Sequence, residues 1–159
     1  SKYYLDYFTL KLPIFGKLVQ KSILARMART LSSLFSSSVP ILQAIAIVEK
    51  VVGNEVLGQV LTVSRSSLEK GESLTEPMKR HWIFPPLVTQ MITIGEQTGT
   101  LDLMLAKVAD FYEAEVEAAT DRIKSLIEPF MIIILAGIVG TIVTSILVPM
   151  FEIFNHVGQ

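Results

Sequence analysis

Hydrophobic positions along the 159-residue chain follow two regimes. Up to Glu128 they recur at steps of three and four between short turn signals, which predicts amphipathic helices. From Pro129 to Phe151 the chain reads PFMIIILAGIVGTIVTSILVPMF with no charged residue, which predicts a helix with no polar face.

The first regime resolves into six helices. After an extended lead-in around Leu12-Pro13-Ile14-Phe15-Gly16, apolar residues at Leu24, Met27, Ala28, Leu31, Leu34 and Phe35 keep helical spacing, with Arg26, Arg29 and Ser33 on the other side. Pro40 suits the first turn of a second helix through Ile41, Ile45 and Val48 that ends at Gly53. Asn54 is the expected N-cap of a third, carrying Leu57, Val60, Leu61, Ser64 and Leu68 and closed by Gly71. Ser73-Leu74-Thr75-Glu76 reads as a capping box for a short fourth. Pro85-Pro86 opens a fifth bearing Leu87, Met91 and Ile94, which the turn Gly95-Glu96-Gln97-Thr98-Gly99 ends. The sixth starts near Thr100 and repeats apolar residues at Leu101, Leu105, Val108, Tyr112, Val116, Ala119, Ile123 and Leu126, with Pro129 as a bend or a new first turn. Strand-like alternation is scarce, so the expected class is all-α: a six-helix bundle followed by one C-terminal transmembrane helix.

The second regime is long enough to cross a bilayer. Its 23 residues make about 34 Å of helix against a hydrocarbon core of about 30 Å. Thirteen are Phe, Ile, Leu or Val, worth roughly -5 kcal/mol of gross insertion energy. Arg122 and Lys124 precede the span, whereas Glu152 and His156 follow it with no Lys or Arg, so the positive-inside rule places residues 1–128 in the cytoplasm. The expected organisation is a lead-in at 1–16, a bundle at 17–127, a span at 128–151 and an outer tail at 152–159. Ala136, Gly140 and Thr144, and likewise Gly137, Thr141 and Ser145, stack at intervals of four, a surface on which another helix can approach closely. Gly, Ser and Thr are also simply tolerated in such spans.

Composition agrees with a membrane protein: half the residues are hydrophobic, 18% are charged, and the mean hydropathy is +0.50. Zero cysteines exclude a disulfide scaffold, a thiol nucleophile and a Cys-ligated metal, and two histidines exclude a His-rich one. The net charge of -1 gives no field for nucleic acid. Its distribution is uneven, however. Residues 1–80 balance at +5 and residues 81–128 at -5, so part of the contrast is expected to be satisfied internally.

Candidate chemistry is sparse. Asp110, Glu113, Glu117 and Asp121 are three or four apart, a spacing compatible with oxygen ligands for a divalent cation, though such a stripe is ordinarily the solvated side of a helix. Phosphate-loop, nucleophile-elbow, zinc-helix and dinucleotide motifs are absent. No catalytic residue and no cofactor are expected. Glu96, between two glycines, is expected either to brace helix-end amides or an arginine such as Arg26 or Arg29, or to meet a partner. His81 and Trp82 are expected to pack under their loop.

The stretches KLPIFGKL (Lys11 to Leu18), ARMARTLSSLFSSSVPILQAI (Ala25 to Ile45), GNEVL (Gly53 to Leu57), GESL (Gly71 to Leu74), FPPLVTQMITIGEQTGTLDLML (Phe84 to Leu105), FYEAEV (Phe111 to Val116), EPFMII (Glu128 to Ile133) and LVPMFEIF (Leu147 to Phe154) resemble the type II secretion system F domain family. These are PilC-like and GspF-like inner-membrane platform proteins of type IV pilus and type II secretion machines. Ser38 departs from the family's usual Gly before Val-Pro, which bears on the geometry of that turn. The resemblance implies a second helical domain plus the last span of a longer multi-pass protein, consistent with a start at Ser1 and no leader. It also implies a non-enzymatic, homo-oligomeric scaffold that couples a hexameric assembly ATPase to pilin or pseudopilin polymerisation at the bacterial inner membrane. Asp110, Glu113 and Glu117 are then candidate docking residues, and Gly137 and Gly140 candidate helix contacts. A membrane-anchored enzyme with an acidic metal site and a receptor-like helical protein are the alternatives.

The orientation is testable, because the chain has no native thiol. A cysteine at His156 is expected to react with an impermeant thiol reagent in intact cells, and one at Ser66 is not; the reverse labelling refutes the topology.

Overall fold

The computed structural model describes residues 2–13 and 15–158. Every regular element among them is a helix: α1 Lys2–Lys11, α2 Phe15–Ser36, α3 Ile41–Val51, α4 Glu55–Glu69, α5 Thr75–Lys79, α6 Pro86–Thr98 and α7 Leu101–Val157. The all-α class holds, with α1 not anticipated by the periodicity and the expected sixth helix and apolar stretch continuous in α7. The chain divides into two compact units, Ser1–Glu117 and Ala118–Gln159.

In the first unit, Leu24, Met27 and Leu31 of α2 are sealed in one core with Ile45 and Val48 of α3, Leu57 and Leu61 of α4, Met78 of α5, Ile92 of α6 and Leu105 of α7. Each such side chain contributes about 1.5–3 kcal/mol by leaving water. Asn54 caps α4 as expected, its side chain accepting from the Val56 and Leu57 amides. A third amide of that turn, Glu55 N–H, is taken by Asp6 of α1 at 2.8 Å.

That contact belongs to the expected lead-in at 1–16, of which only the part around Leu12 to Gly16 is expected to be extended. Of that part, Phe15 and Gly16 already belong to α2. Lys2–Lys11 is helical, and a tight bend at Leu12 and Pro13 leads into α2; Ile14 lies outside the described residues. Helix α1 is part of the domain, with Leu10 buried and Tyr3 and Tyr7 packed on the core. Gly16 makes the corner possible, since a Cβ there would collide with the Leu10 carbonyl. The sequence conceals this helix because KYYLDYFTLK is apolar on both sides and shows no stripe.

Two further expectations are corrected at α6. The buried stripe is Val88, Ile92 and Gly95, whereas Leu87 and Ile94 are 37% and 45% exposed and Met91 is half-buried. Both stripes have steps of four and three, so periodicity cannot rank them. The choice falls to Gly95, where a Cβ would stand 2.8 Å from the Leu101 Cα, so α6 and α7 meet closely only on that side. The run from Gly95 to Gly99 is accordingly no five-residue turn: α6 continues through Thr98, and Gly99 alone, at φ 69°, reverses the chain.

The second unit is the remainder of α7. Pro129 and Pro149 lie inside the helix without ending it, and the expected tail is helical through Val157. Each proline removes one donor and disturbs the carbonyl four residues earlier, a local defect that the long ladder on either side absorbs. From Phe130 to Val157 the large apolar side chains are exposed, and the apolar stretch is long enough to cross a membrane. Its small-residue hydroxyls are satisfied within the helix: Thr141 donates to the Gly137 carbonyl at 2.8 Å, Thr144 to Gly140 at 2.7 Å and Ser145 to Thr141 at 2.8 Å.

At the end of α2, Val39 N–H donates to the Leu34 carbonyl across a left-handed Ser38 at φ 63°. A side chain in that conformation costs about 1–2 kcal/mol. Ser38→Gly is therefore expected to raise the stability of the domain by ~0.5–1 kcal/mol in urea denaturation, part of the relief being offset by the freer unfolded chain. A loss of stability would show that the serine makes a compensating contact.

Candidate functional site

A cleft of about 630 Å³ opens in the first unit where three helix ends meet. Its walls include Phe35 and Val39 at the end of α2, Leu68 and Gly71 at the end of α4, and Gly95, Glu96 and Gly99 at the end of α6. All three ends close the same way, an amide beyond the left-handed residue reaching back five positions: Val39 to Leu34, Glu72 to Ser67 and Thr100 to Gly95. Helix C-termini carry partial negative charge. Glu72, Glu96 and Asp102 also line the cleft, and no basic residue is among its described lining. The arrangement favours a cationic group.

Glu96 is where the sequence leaves two readings, and the geometry shows bracing of helix-end amides. Its Oε1 accepts from Leu74 N–H at 3.3 Å and its Oε2 from the Ser73 hydroxyl at 3.2 Å. Ser73 Oγ in turn accepts from Thr75 N–H. The cap of α5 is thus assembled from Ser73 and a carboxylate 22 residues away. The expected capping box does not form: Glu76 points to Lys79 and Arg80 at 3.7 and 4.0 Å. A five-residue helix lacks the length to orient its own third-position carboxylate, while α6 presents Glu96 rigidly. Thr93 extends the bracket by donating to Thr75.

The acidic side of α7 is partly engaged by α2. Arg29 donates Nε and a terminal nitrogen to the two carboxylate oxygens of Glu113 at 3.0 and 2.9 Å and also bonds Asp110. Lys21 reaches Glu115 at 3.0 Å. These pairs join the basic and acidic halves, as the charge division anticipates, and Arg29 does not meet Glu96. Hydrogen bonds from Arg29 hold the Glu113 carboxyl below its usual range, and the two carboxylates raise the guanidinium's affinity for its proton. The groups are solvent-exposed, so the fork orients the helices more than it stabilises them. Among the described residues no cluster has the composition and placement to hold a metal ion; Arg29 stands where a cation at Asp110 and Glu113 would.

Sequence reasoning missed Asp6, whose only signal is a lone acid in an aromatic run. His81 is partly buried, but Trp82 is 40% exposed and does not pack under its loop as expected: it lies edge-on to Tyr7 with Lys11 4.3 Å above its ring, while His81 Nδ1 accepts from Ile83 N–H. Burial, and then Lys11, lowers the His81 pKa. On the second unit, Gly137, Gly140, Thr141, Thr144, Ser145, Val148 and Pro149 line one shallow groove. Ala136 is not among them.

The two candidate caps are separable by mutation. Glu96→Ala is expected to destabilise the domain by about 1–3 kcal/mol in urea, because it strands a buried-end amide and a hydroxyl. Glu76→Ala is expected to change it by less than about 0.5 kcal/mol. Equal effects would return the capping role to Glu76.

Comparison with known proteins adds to this geometry. Residues 27–149 match the family described as type II secretion system (T2SS), protein F. The type IV pilus assembly protein PilC of Thermus thermophilus is 43% identical over 95% of this chain and 37% of its own length. The same-named protein of Pseudomonas aeruginosa is 40% identical over 97% of this chain and 41% of its own. The type II secretion system protein F of Pseudomonas aeruginosa is 36% identical over 95% and 37%. The chain thus spans about two fifths of the length of these curated relatives. With a match that covers the core helices, the cleft and the apolar stretch of α7, the chain belongs to the type II secretion system protein F family.

Proposed function

We propose that this chain is the C-terminal part of a non-enzymatic inner-membrane platform protein that serves in type IV pilus assembly or type II secretion. The observation that carries the reading is a helix, α7, that begins in a braced helical domain, carries a charge-free apolar stretch from Pro129 to Phe151, and belongs to a chain of this family. The relatives are named for pilus assembly and for secretion, and both processes require force to be passed from one side of a membrane to polymerising subunits. A cytoplasmic hexameric ATPase is the motor, and pilins or pseudopilins are the cargo. The homo-oligomer and the cytoplasmic orientation of the helical domain belong to the same reading.

Two surfaces fit those partners. The small-residue groove of Gly137, Gly140, Thr141 and Thr144, with neighbouring Ala136, is the contact for another spanning helix. Its hydroxyls already have intrahelical acceptors, so close approach there leaves no polar group unsatisfied. The acidic side of α7 at Asp110, Glu113 and Glu117, with the electronegative cleft at Glu96, suits a basic surface of the ATPase or of a neighbouring copy. Arg29 already occupies Asp110 and Glu113, which makes exposed Glu117 the first residue to test.

A Cβ at Gly137 or Gly140 would meet nothing in the isolated helix. Gly137→Leu with Gly140→Leu is therefore expected to leave insertion intact while weakening helix association by roughly 5–30-fold, read as lost piliation or secretion in cells. Glu117→Lys is expected to weaken the cytoplasmic contact in a salt-sensitive way, since exposed charges act over about 8 Å at physiological ionic strength. Normal assembly by both fully inserted variants would refute the two surfaces together.

A further inference from the structure

Helix α1 has a face that its own domain does not use. Tyr3, Asp6, Tyr7 and Leu10 turn toward the bundle, where Leu10 is buried and Asp6 caps α4. On the opposite side Tyr4, Leu5 and Phe8 are 67%, 67% and 68% exposed, and Leu12 and Phe15 at the following bend are exposed too. At 100° per residue, Tyr4, Phe8 and Leu5 fall within one arc of about 100°, with Lys2 beyond one edge, while Lys11 beside the other turns its ammonium onto the Tyr7 and Trp82 rings. The only acid of the helix, Asp6, is on the inner side.

We propose that this outward face of α1 docks on an anionic phospholipid surface. An apolar and aromatic strip with one lysine, Lys2, beyond its edge suits the headgroup region, where rings occupy the interface and an ammonium group reaches phosphate. A second protein is the poorer occupant on area. Ten residues make a helix of about 15 Å, and a strip roughly 10 Å wide then offers on the order of 150–200 Å², against about 800 Å² per partner in a stable dimer. Lys2 at the edge of the strip complements lipid phosphate and would oppose a copy of itself. Through α7 the chain is held at a bilayer, so weak docking suffices: the local lipid concentration replaces intrinsic affinity. The inference rests on α7 spanning the membrane and not on the machine the chain serves.

The absence of native cysteine permits single nitroxide labels in the full chain reconstituted into phosphatidylcholine vesicles with and without phosphatidylglycerol. Thr9, exposed beside Phe8, takes one label, Ser66 on α4 a second and Val139 a third. The Thr9 label is expected to gain oxygen and lose nickel-chelate accessibility when phosphatidylglycerol is present, while Ser66 stays aqueous and Val139 reads acyl chain in both. Lys2→Gln with Phe8→Ser touches no core residue and is expected to reduce the docked fraction on the order of a hundredfold. A Thr9 label that stays aqueous while Val139 reads acyl chain overturns the docking but not the span. A Thr9 label shielded from both quenchers, with dipolar broadening, overturns it in favour of a second copy. An aqueous Val139 label overturns the span and the docking together.

Discussion

At Gly95 a Cβ would stand 2.8 Å from the Leu101 Cα, so the corner between α6 and α7 closes only around a glycine. Much of the first unit follows from that corner. It lets Thr100 N–H reach back to the Gly95 carbonyl across a left-handed Gly99, which fixes where α7 begins. It sets Leu101, Leu105, Val108 and Tyr112 in the core and places Asp102, whose carbonyl accepts from Ser32 of α2 at 2.8 Å. It also holds Glu96 against Ser73 and Leu74, so the same turn that starts α7 caps α5. A methyl group at Gly95 would have to displace backbone, and this corner is tied to α2 through Asp102 and to the start of α5 through Glu96.

The electrostatic layout has two scales. Charge of opposite sign on the two halves of the domain is drawn together by α2 and the start of α7, through Lys21 and Arg29. These exposed pairs add little stability, but they consume much of the negative charge that a partner would otherwise see. What is left is local: Glu117, Asp121 and Glu128 on α7, and a cleft where three carboxylates add to three helix C-termini. A site of that kind selects by sign and shape without needing the chain's net charge, which is nearly zero.

The class, the helix that spans Pro129 to Phe151 and most helix ends were legible because each has a short-range cause: Asn54 before α4, glycines after α3, α4 and α6, and unbroken apolarity in α7. The misses share a different cause. Helix α1 is apolar on both faces, so periodicity sees no helix where tertiary contact makes one. Helix α6 has two equivalent apolar stripes, and only the size of residue 95 against Leu101 chooses between them. The cap on α5 comes from a residue 22 positions away, beyond any local motif. Ser38 was visible as a departure from the family's glycine, and the left-handed φ at that position supplies the reason the glycine is favoured there. At the candidate site, the bracing role of Glu96 was one of the readings open from sequence, whereas the partner of Arg29 could not be chosen among the acids without the helix pairing.

The two units differ in how their apolar surface is satisfied, and this difference bears most directly on function. In the first, the large aliphatic side chains are withdrawn from water by one another. In the second, apolar side chains from Phe130 to Val157 have no intramolecular cover among the described residues. At about 25 cal/mol per Å² such a helix is strongly driven out of water. Hydrocarbon satisfies it without discriminating among faces, because lipid tails are as apolar as Ile and Leu. Discrimination must then come from shape and from backbone approach, which is what the groove at Gly137, Gly140, Thr141 and Thr144 provides. The exposed strip of α1 poses the same problem on a smaller area, which is the ground for proposing the headgroup interface as its cover. A chain with a sealed bundle, an uncovered spanning helix and an uncovered interfacial strip is one whose remaining free energy of assembly lies in the membrane and its surface.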